Sequence, residues 1–235
     1  MQQILRPGGF QILPPIIKNL LIINVLFYFA TVVLKQAQIV DLNYYLALFH
    51  WDSPYFKPWQ ILTHMFMHGN FAHLFFNMFA LWIFGNMLEG VLGEKRFIIF
   101  YLVCGFGAAA LHMGVFHWEM REALAYINSL STEEYESIIW RPNLKINIPT
   151  VGASGAVFGV LFAFGYLFPN IHIYLYFLFP IRAKYFVAVY ALIELWQGFA
   201  NNPGDNVAHF AHVGGMLFAY ILFRIWKIRY NPFNR

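Results

Sequence analysis

The stretch Gly152-Ala-Ser-Gly-Ala-Val-Phe-Gly159 decides the fold class, because it sets three glycines inside an apolar run that extends from 150 to 168. Glycine in a helix interior costs about 0.5–1 kcal/mol relative to alanine, so such a density needs a structural reason. Small residues at 152, 155, 156, 159 and 163 give the helix one flat face, which allows a second helix to pack closely inside a membrane. Ser154 borders this face.

A second row of small residues lies near the C-terminus. One face of an apolar segment carries Ala208, Ala211, Gly215 and Ala219, and His212 lies beside that row. We expect the two flat faces to pack together and to bring Ser154 within hydrogen-bond range of His212, as a serine nucleophile and its general base require. The alternative for Ser154 is structural, since serines in membrane helices often bond back to a carbonyl one turn earlier.

Acidic residues are scarce around this pair in the sequence. No aspartate or glutamate is expected beside Ser154 and His212 at membrane depth, so we predict a catalytic dyad and no triad. His209 is predicted to face the mouth of the site or a neighbouring helix. Glu194 and Gln197, near the outer end of a short span, either gate access or cap neighbouring helices, and neither interpretation is favoured. Glu89 is predicted to tie segments together by hydrogen bonds.

A third set of polar residues has the spacing His64-x3-His68-x4-His73-x3-Asn77. His73 and Asn77 lie one helical turn apart and can donate to one oxygen, with the backbone N–H of Ser154 as a third donor to an oxyanion. Histidine is also the commonest metal ligand, so a metal site is the alternative. Neither a His-Glu-x-x-His motif nor a carboxylate at ligand spacing supports it. We predict no metal and no cofactor, and assign His64 and His68 structural hydrogen bonds to the long outer loop, 36–60.

The composition indicates a membrane protein. Of the 235 residues, 60% are hydrophobic and 11% are charged, against about 25% charged in soluble domains. One compact core does not need so much apolar surface, whereas helices in a bilayer do. The net charge of +4 gives no footprint for nucleic acid, and the single cysteine, Cys104, excludes an intramolecular disulfide. The first 15 residues lack the pattern of a cleaved signal peptide.

Hydrophobic segments predict the membrane spans, because a bilayer core of roughly 30 Å needs about 20 apolar residues as helix. Six spans are predicted in a single domain, 1–235, at about 16–34, 71–90, 97–116, 150–168, 185–199 and 207–226. The segment 171–180 is too short to span and is predicted to skim the interface or to extend a neighbouring span. The insertion 118–149 is predicted to be solvated and outside, with a short helix that begins near Ser131, which has capping-box spacing to Glu134.

The positions of the basic residues predict the orientation. With both termini inside, ten basic residues lie on the cytoplasmic side and five outside. The ten are Arg6, Lys18, Lys95, Arg96, Arg182, Lys184, Arg224, Lys227, Arg229 and Arg235, and the five are Lys35, Lys57, Arg121, Arg141 and Lys145. Both termini are therefore expected in the cytoplasm.

Taken together, these motifs resemble those of the rhomboid intramembrane serine proteases. The resemblance rests on His73-x3-Asn77, Gly152-Ala-Ser154-Gly155 and Ala211-His212-x2-Gly215, in that order, with Trp59 shortly before His64. It implies an all-α membrane protein, a bundle of six transmembrane helices with an outward-facing active-site cavity.

The resemblance also implies roles for individual residues. Ser154 and His212 match the catalytic dyad, and His73 and Asn77 match the side chains that stabilise the oxyanion. Phe158 matches an aromatic residue that stacks on the catalytic imidazole, with Gly152, Gly155 and Gly215 in support. Three residues depart from the family pattern: Phe158 is commonly Tyr, Gln60 follows Trp59 where Arg is usual, and Ala219 replaces a glycine.

The predicted function is therefore an intramembrane serine endopeptidase. It is expected to cleave transmembrane protein substrates near the outer end of their helix, in a bacterial inner membrane, with the lipid bilayer and its substrates as partners and no nucleic acid. Substrate entry is predicted past the span 185–199. The alternatives are a catalytically inactive rhomboid-like protein that binds membrane helices, and a transporter, for which the chain lacks repeated halves.

Overall fold

The computed structural model describes residues 12–175, 178–200 and 207–228, and these ranges are largely helical. The helices are α1 (Pro15–Gln36), α2 (Asn43–Leu46), α3 (Gln60–Thr63), α4 (Phe71–Leu92), α5 (Glu94–Asn128), α6 (Thr132–Ile139), α7 (Ser154–Leu167), α8 (Ala183–Ala200) and α9 (His209–Ile225). Short 3-10 turns occupy His64–Phe66 and Lys145–Asn147, and an antiparallel pair of strands is formed by β1 (His172–Leu175) and β2 (Phe179–Arg182).

The six segments predicted to span the membrane overlap in sequence with six of these helices: α1, α4, α5, α7, α8 and α9. By length and composition, α1, α4 and α5 are long and apolar enough to cross a membrane, while α7 and α9 are shorter apolar helices. The chain is an integral membrane protein, and the count of six spans stays a prediction. The segment 1–11, where no cleaved signal peptide is expected, lies outside the described residues, as do Arg6, Arg229 and Arg235.

Helix α7 lies at the centre of the bundle, since it packs against α4, α5, α8 and α9, and α9 packs mainly against α5 and α7. A Cβ added at Gly215 of α9 would overlap the carbonyl oxygen of Gly155 and lie 3.3 Å from the amide nitrogen of Gly159, both in α7. The two rows of small residues therefore bring the backbones of α7 and α9 into contact. Gly155 also faces α5, since a Cβ there would overlap that of Ala108 and lie 3.4 Å from the carbonyl oxygen of Ala211.

Glu89 ties two helices together, as a hydrogen-bonding role predicts. This buried carboxylate of α4 accepts the backbone N–H of Ile16 at 3.0 Å and that of Ile17 at 2.9 Å, in the first turn of α1. Those N–H groups have no partner within their own helix, and a negative charge at a helix N-terminus is favourable. Glu89 therefore caps α1 and holds its start against α4.

The insertion 118–149 differs from the predicted one at its start. Helix α5 continues to Asn128, so the chain is helical through the first part of 118–149. The short helix α6 then begins after Ser131, whose side chain and that of Glu134 form the capping box that the spacing predicts. The hydroxyl of Tyr55, in the loop 36–60, donates to the carbonyl of Trp140 at 2.9 Å. This hydrogen bond links the insertion to that loop.

The segment 171–180 does not extend a helix. It contributes β1 and the start of β2, with Ile173 opposite Ile181 and Tyr174 opposite Pro180. Branched and aromatic side chains favour strands, and a proline is tolerated because a two-stranded sheet has free edges. The alternative that it extends a neighbouring span is therefore wrong, while its depth at the membrane interface stays a prediction.

Candidate active site

Ser154 is the first residue of α7, four residues later than the predicted start of the span. It follows Gly152, whose φ of +128° lies in a region that side chains rarely adopt and whose N–H donates to the carbonyl of His64 at 3.0 Å. The N–H groups of a first helical turn have no partner within the helix and carry partial positive charge. The local fold therefore places the Ser154 side chain and its N–H together at a polarised helix end.

Helix α9 brings His212 to this serine. The Nε2 atom of His212 lies 2.9 Å from Ser154 Oγ, across 58 residues of sequence. His212 is buried and Ser154 is half-buried, so little water competes for the contact. Ser154 therefore has a hydrogen-bond partner in another helix. The alternative, in which its hydroxyl bonds back to a carbonyl one turn earlier in its own segment, does not describe this contact.

Phe158 lies one turn after Ser154 and covers the imidazole. Its ring stacks on that of His212 with centroids 4.0 Å apart and planes at 9°, and Tyr190 of α8 contacts Phe158 in turn. The stacking holds the plane of the imidazole and excludes water from one of its faces. Phe158 does this without the hydroxyl of the tyrosine that is usual at this position.

The prediction that no carboxylate accompanies the pair is wrong. Glu194 of α8 is buried, and its Oε2 atom lies 2.8 Å from His212 Nδ1 and 2.6 Å from His209 Nδ1. Neither of the two roles considered for Glu194, gating or capping, describes this contact. His209 does face a neighbouring helix, since its partner Glu194 belongs to α8.

The contact with Glu194 determines which nitrogen of His212 carries the proton. A carboxylate only accepts, so Nδ1 of His212 donates to Glu194, and Nε2 is left with its lone pair toward Ser154. The Ser154 hydroxyl then donates to Nε2. Serine, imidazole and carboxylate thus form one hydrogen-bonded chain from α7 through α9 to α8, the arrangement that a serine nucleophile, its base and an orienting acid require.

His73 of α4 lies beside the serine, and Asn77 follows it by one turn of the same helix. A Cβ added at Gly152 would be 2.8 Å from His73 Nε2 and 3.6 Å from Ser154 Oγ, so both groups border the same small space. Asn77 is buried, and its amide nitrogen donates to the carbonyl of His73 at 2.8 Å. An amide nitrogen carries two protons, so one remains for another acceptor.

Comparison with known proteins supplies the family. Residues 55–227 match the model of the Rhomboid domain, and the match includes every element of this site. The chain belongs to the rhomboid family. Over 163 residues it is 36% identical to Rhomboid protein 1, mitochondrial, of Saccharomyces cerevisiae, covering 67% of this chain and 39% of that protein.

Two of the bacterial relatives are named as proteases. This rhomboid is 30% identical over 161 residues to Rhomboid protease GluP of Bacillus subtilis, covering 68% of this chain and 25% of that protein. It is 27% identical over 175 residues to Rhomboid protease AarA of Providencia stuartii, covering 70% of this chain and 54% of that protein. Because the relatives include mitochondrial and bacterial proteins, the predicted inner membrane of a bacterium and the cytoplasmic termini stay predictions.

Around the rhomboid site, the loop 36–60 is anchored by a residue that departs from the family pattern. Gln60 is fully buried, and its side chain accepts the N–H of Lys57 at 2.9 Å and donates to the carbonyl of Tyr55 at 3.0 Å. His64 follows one turn later and its Nδ1 donates to the carbonyl of Gln60 at 2.9 Å. Gln60 therefore orders the segment that in turn holds Gly152 through the carbonyl of His64.

His64 and His68 are buried just before α4. Burial lowers the pKa of each imidazole to about 4, so both are neutral near pH 7. The His68 ring packs edge-on against that of His73 at a centroid distance of 5.1 Å, and neither of its nitrogens has a hydrogen-bond partner among the described residues. The predicted hydrogen bond to the outer segment is therefore observed for His64, while His68 acts by packing.

A cavity of about 140 Å³ lies beside His209, between α5, the end of the insertion, α8 and α9. Polar side chains on its wall are those of His112, Glu119, Lys145, Gln197 and His209. Gln197 thus faces this space. Whether the cavity opens outward to admit water to Ser154 stays a prediction.

Proposed function

We propose that this rhomboid is an intramembrane serine endopeptidase that cleaves transmembrane protein substrates near the outer end of their helix. The observation that carries the proposal is the 2.9 Å contact between Ser154 Oγ and His212 Nε2. Membership of a family with protease-named relatives supports it. The matched segments are a quarter to about half of those relatives' lengths, so their activity is carried to this chain as a proposal.

In the proposed reaction, Ser154 Oγ attacks the scissile carbonyl as its proton passes to His212 Nε2. The imidazolium that forms is stabilised by Glu194, whose oxygen already accepts from Nδ1. His212 then returns the proton to the leaving amine, and water hydrolyses the acyl enzyme with His212 again as base. Ser154 and His212 are the reacting pair of the predicted dyad, and Glu194 is a third, positioning member.

The oxyanion would be held at the start of α7. The N–H of Ser154 belongs to the first turn of α7, His73 of α4 borders the same space, and Asn77, one turn later, keeps an amide proton free to donate. Donors fixed before the reaction stabilise the tetrahedral intermediate without reorganisation. Gly152 is needed because any Cβ there would displace the His73 ring.

Labelling with a fluorophosphonate probe in detergent tests the proposal directly. The wild type is expected to be labelled and to cleave a model transmembrane substrate, while Ser154→Ala and His212→Ala lose both. A matched control is Ser137→Ala, a serine that is exposed on α6 within the insertion 118–149. Its labelling should equal that of the wild type.

Two other outcomes would replace the proposal. Folded wild-type protein that neither reacts with the probe nor cleaves substrate would identify an inactive family member that binds membrane helices. Solute uptake into proteoliposomes that survives Ser154→Ala would identify a transporter. In both cases the folded state is checked by thermal unfolding, since a misfolded sample fails for another reason.

A further inference from the structure

Three side chains meet on the outer face, away from Ser154. His50 and Asp52 lie in the segment between α2 and α3, and His117 lies in the outer part of α5. His50 Nδ1 is 3.4 Å from Asp52 Oδ2, and His117 Nδ1 is 3.5 Å from the same oxygen. Each of the three residues offers one ligand atom within 4.8 Å of the other two.

These separations are too long for good hydrogen bonds and suit a bound cation. Hydrogen bonds between nitrogen and oxygen are about 2.7–3.2 Å long. Zinc bonds of about 2.0–2.2 Å in a tetrahedron place neighbouring ligand atoms about 3.4 Å apart. The two measured separations in this cluster, 3.4 and 3.5 Å, therefore match the edge of a zinc tetrahedron.

The proton arrangement also favours a cation. His50 Nδ1 accepts the backbone N–H of Asp52 at 3.2 Å, so this nitrogen carries a lone pair. The same lone pair faces the carboxylate of Asp52 across 3.4 Å, where two acceptors repel. The Nδ1 atom of His117 is buried and has no hydrogen-bond partner among the described residues. A positive ion between the three atoms would remove the repulsion and give His117 Nδ1 a partner, in exchange for the long hydrogen bond that His50 Nδ1 accepts from the N–H of Asp52.

The residues are held in place and remain reachable. The turn that carries two of them is closed by the N–H of Ser53 on the carbonyl of His50, and the imidazoles of His50 and His117 stack at 5°. The side chain of His50 is 2% exposed, while those of Asp52 and His117 are 43% and 44% exposed. A hydrated ion can therefore enter from the solvent side and keep a water molecule as its fourth ligand.

We propose that His50, Asp52 and His117 bind one divalent transition-metal ion, with zinc the best match. Two imidazoles and one carboxylate are ligands that zinc accepts, with an open fourth position. The ion joins the segment between α2 and α3 to the outer end of α5, so its binding should stabilise this face of the protein. The site lies apart from the hydrogen-bonded chain of Ser154, His212 and Glu194 and does not depend on the proposed proteolysis.

Zinc titration of the full chain in detergent, after chelator treatment, tests the site. The expected result is one zinc per chain, measured by competition with a zinc-binding dye, and a rise of about 5–10 °C in Tm at 100-fold excess over Kd. His117→Asn and Asp52→Asn, at half-exposed positions that tolerate change, should each weaken binding at least about tenfold, since even changes to groups behind the ligands cost 10–100-fold. His172→Asn, an exposed histidine on β1, is the matched control and should bind as the wild type does.

Two results would overturn the proposal. One is zinc affinity that is unchanged in both His117→Asn and Asp52→Asn, or is absent from the folded wild type. The other is zinc binding that is lost in Glu194→Gln and kept in His117→Asn, because Glu194, His209 and His212 form the other group of suitable ligands among the described residues. Ser154→Ala protein serves equally well for this titration, which separates the result from that of the activity assay.

Discussion

Replacement of Glu194 by glutamine tests how much the carboxylate contributes to the chemistry of Ser154. The substitution keeps size and burial but removes the charge that faces His212 Nδ1 at 2.8 Å. A hydrogen bond to a charged group is worth about 1.5–3 kcal/mol. If this bond strengthens as the imidazolium forms, its loss lowers kcat about 10- to 150-fold, at 1.36 kcal/mol for each factor of ten.

The orientation of the new amide decides whether the loss is larger. If the amide oxygen takes the position of Oε2, both His209 and His212 keep their hydrogen-bond acceptor and only the charge is lost. If the NH2 group lies there, it donates to Nδ1, and the proton of His212 moves to Nε2. The imidazole then cannot accept the proton of Ser154, and a loss of about 10⁴ is expected, as for wrong-tautomer variants of other serine proteases.

The assay separates positioning from folding. We expect Glu194→Gln to lower kcat and the rate of fluorophosphonate labelling together, with KM unchanged, and Glu194→Asp to recover part of the activity. Glu119→Gln, the same chemical change at an exposed residue beside the cavity, should leave all three quantities at wild-type values. Folded Glu194→Gln protein with kcat within twofold of wild type would refute a positioning role.

Three further predictions concern packing, acid stability and the oxyanion. Gly215→Ala should lower Tm strongly, because the added Cβ overlaps the backbone of Gly155. The control is Gly90→Ala, where no atom lies within 4 Å of an added Cβ, and this change should leave Tm unchanged or raise it. Equal effects of the two substitutions would contradict close packing of α7 on α9. Acid should weaken the fold, since the buried imidazoles of His64 and His68, with pKa values lowered to about 4, stay neutral in the native state while the unfolded chain takes up protons near pH 6.5. Stability is thus fully present above pH 6.5 and falls toward pH 4 by up to about 3 kcal/mol for each residue. His68→Phe should therefore reduce the fall in Tm over this range, and an unchanged acid profile would argue against a neutral His68. Asn77→Ala should lower kcat about 10²–10³-fold if it donates alone to the oxyanion, and less if His73 substitutes for it; unchanged kinetics in the double variant would exclude both as donors.

The sequence was sufficient for the parts of the fold that depend on periodic patterns. Apolar runs predicted the positions of the six helices, and rows of small residues predicted that α7 and α9 meet at their backbones. Ser154 and His212 lie beside those rows, so their proximity followed from the same packing argument. Patterns of this kind are informative because close approach in a membrane depends on small side chains at helical spacing.

The same patterns could not predict the rotation of α8 about its axis. Glu194 lies in α8, an 18-residue helix, and the direction of its side chain depends on how α8 packs against α9. Its spacing to His212, 18 residues with a connection between two helices, matches no motif. The one available signal was an acidic residue in an apolar segment, which is costly unless it is paired and so marks a functional candidate.

The two groups of histidines and acids show why ligand type alone does not identify a metal site. In the inner group, Glu194 Oε2 accepts from two imidazoles at 2.6 and 2.8 Å, so hydrogen bonds already satisfy all three residues and burial keeps an ion out. In the outer group the gaps are 3.4 and 3.5 Å, two nitrogens, His50 Nε2 and His117 Nδ1, have no hydrogen-bond partner among the described residues, and solvent reaches Asp52. Zinc should therefore fill the outer site without loss of proteolysis. Inhibition by zinc at the same concentration that persists in His117→Asn would instead mean that the ion displaces the protons on which His212 depends.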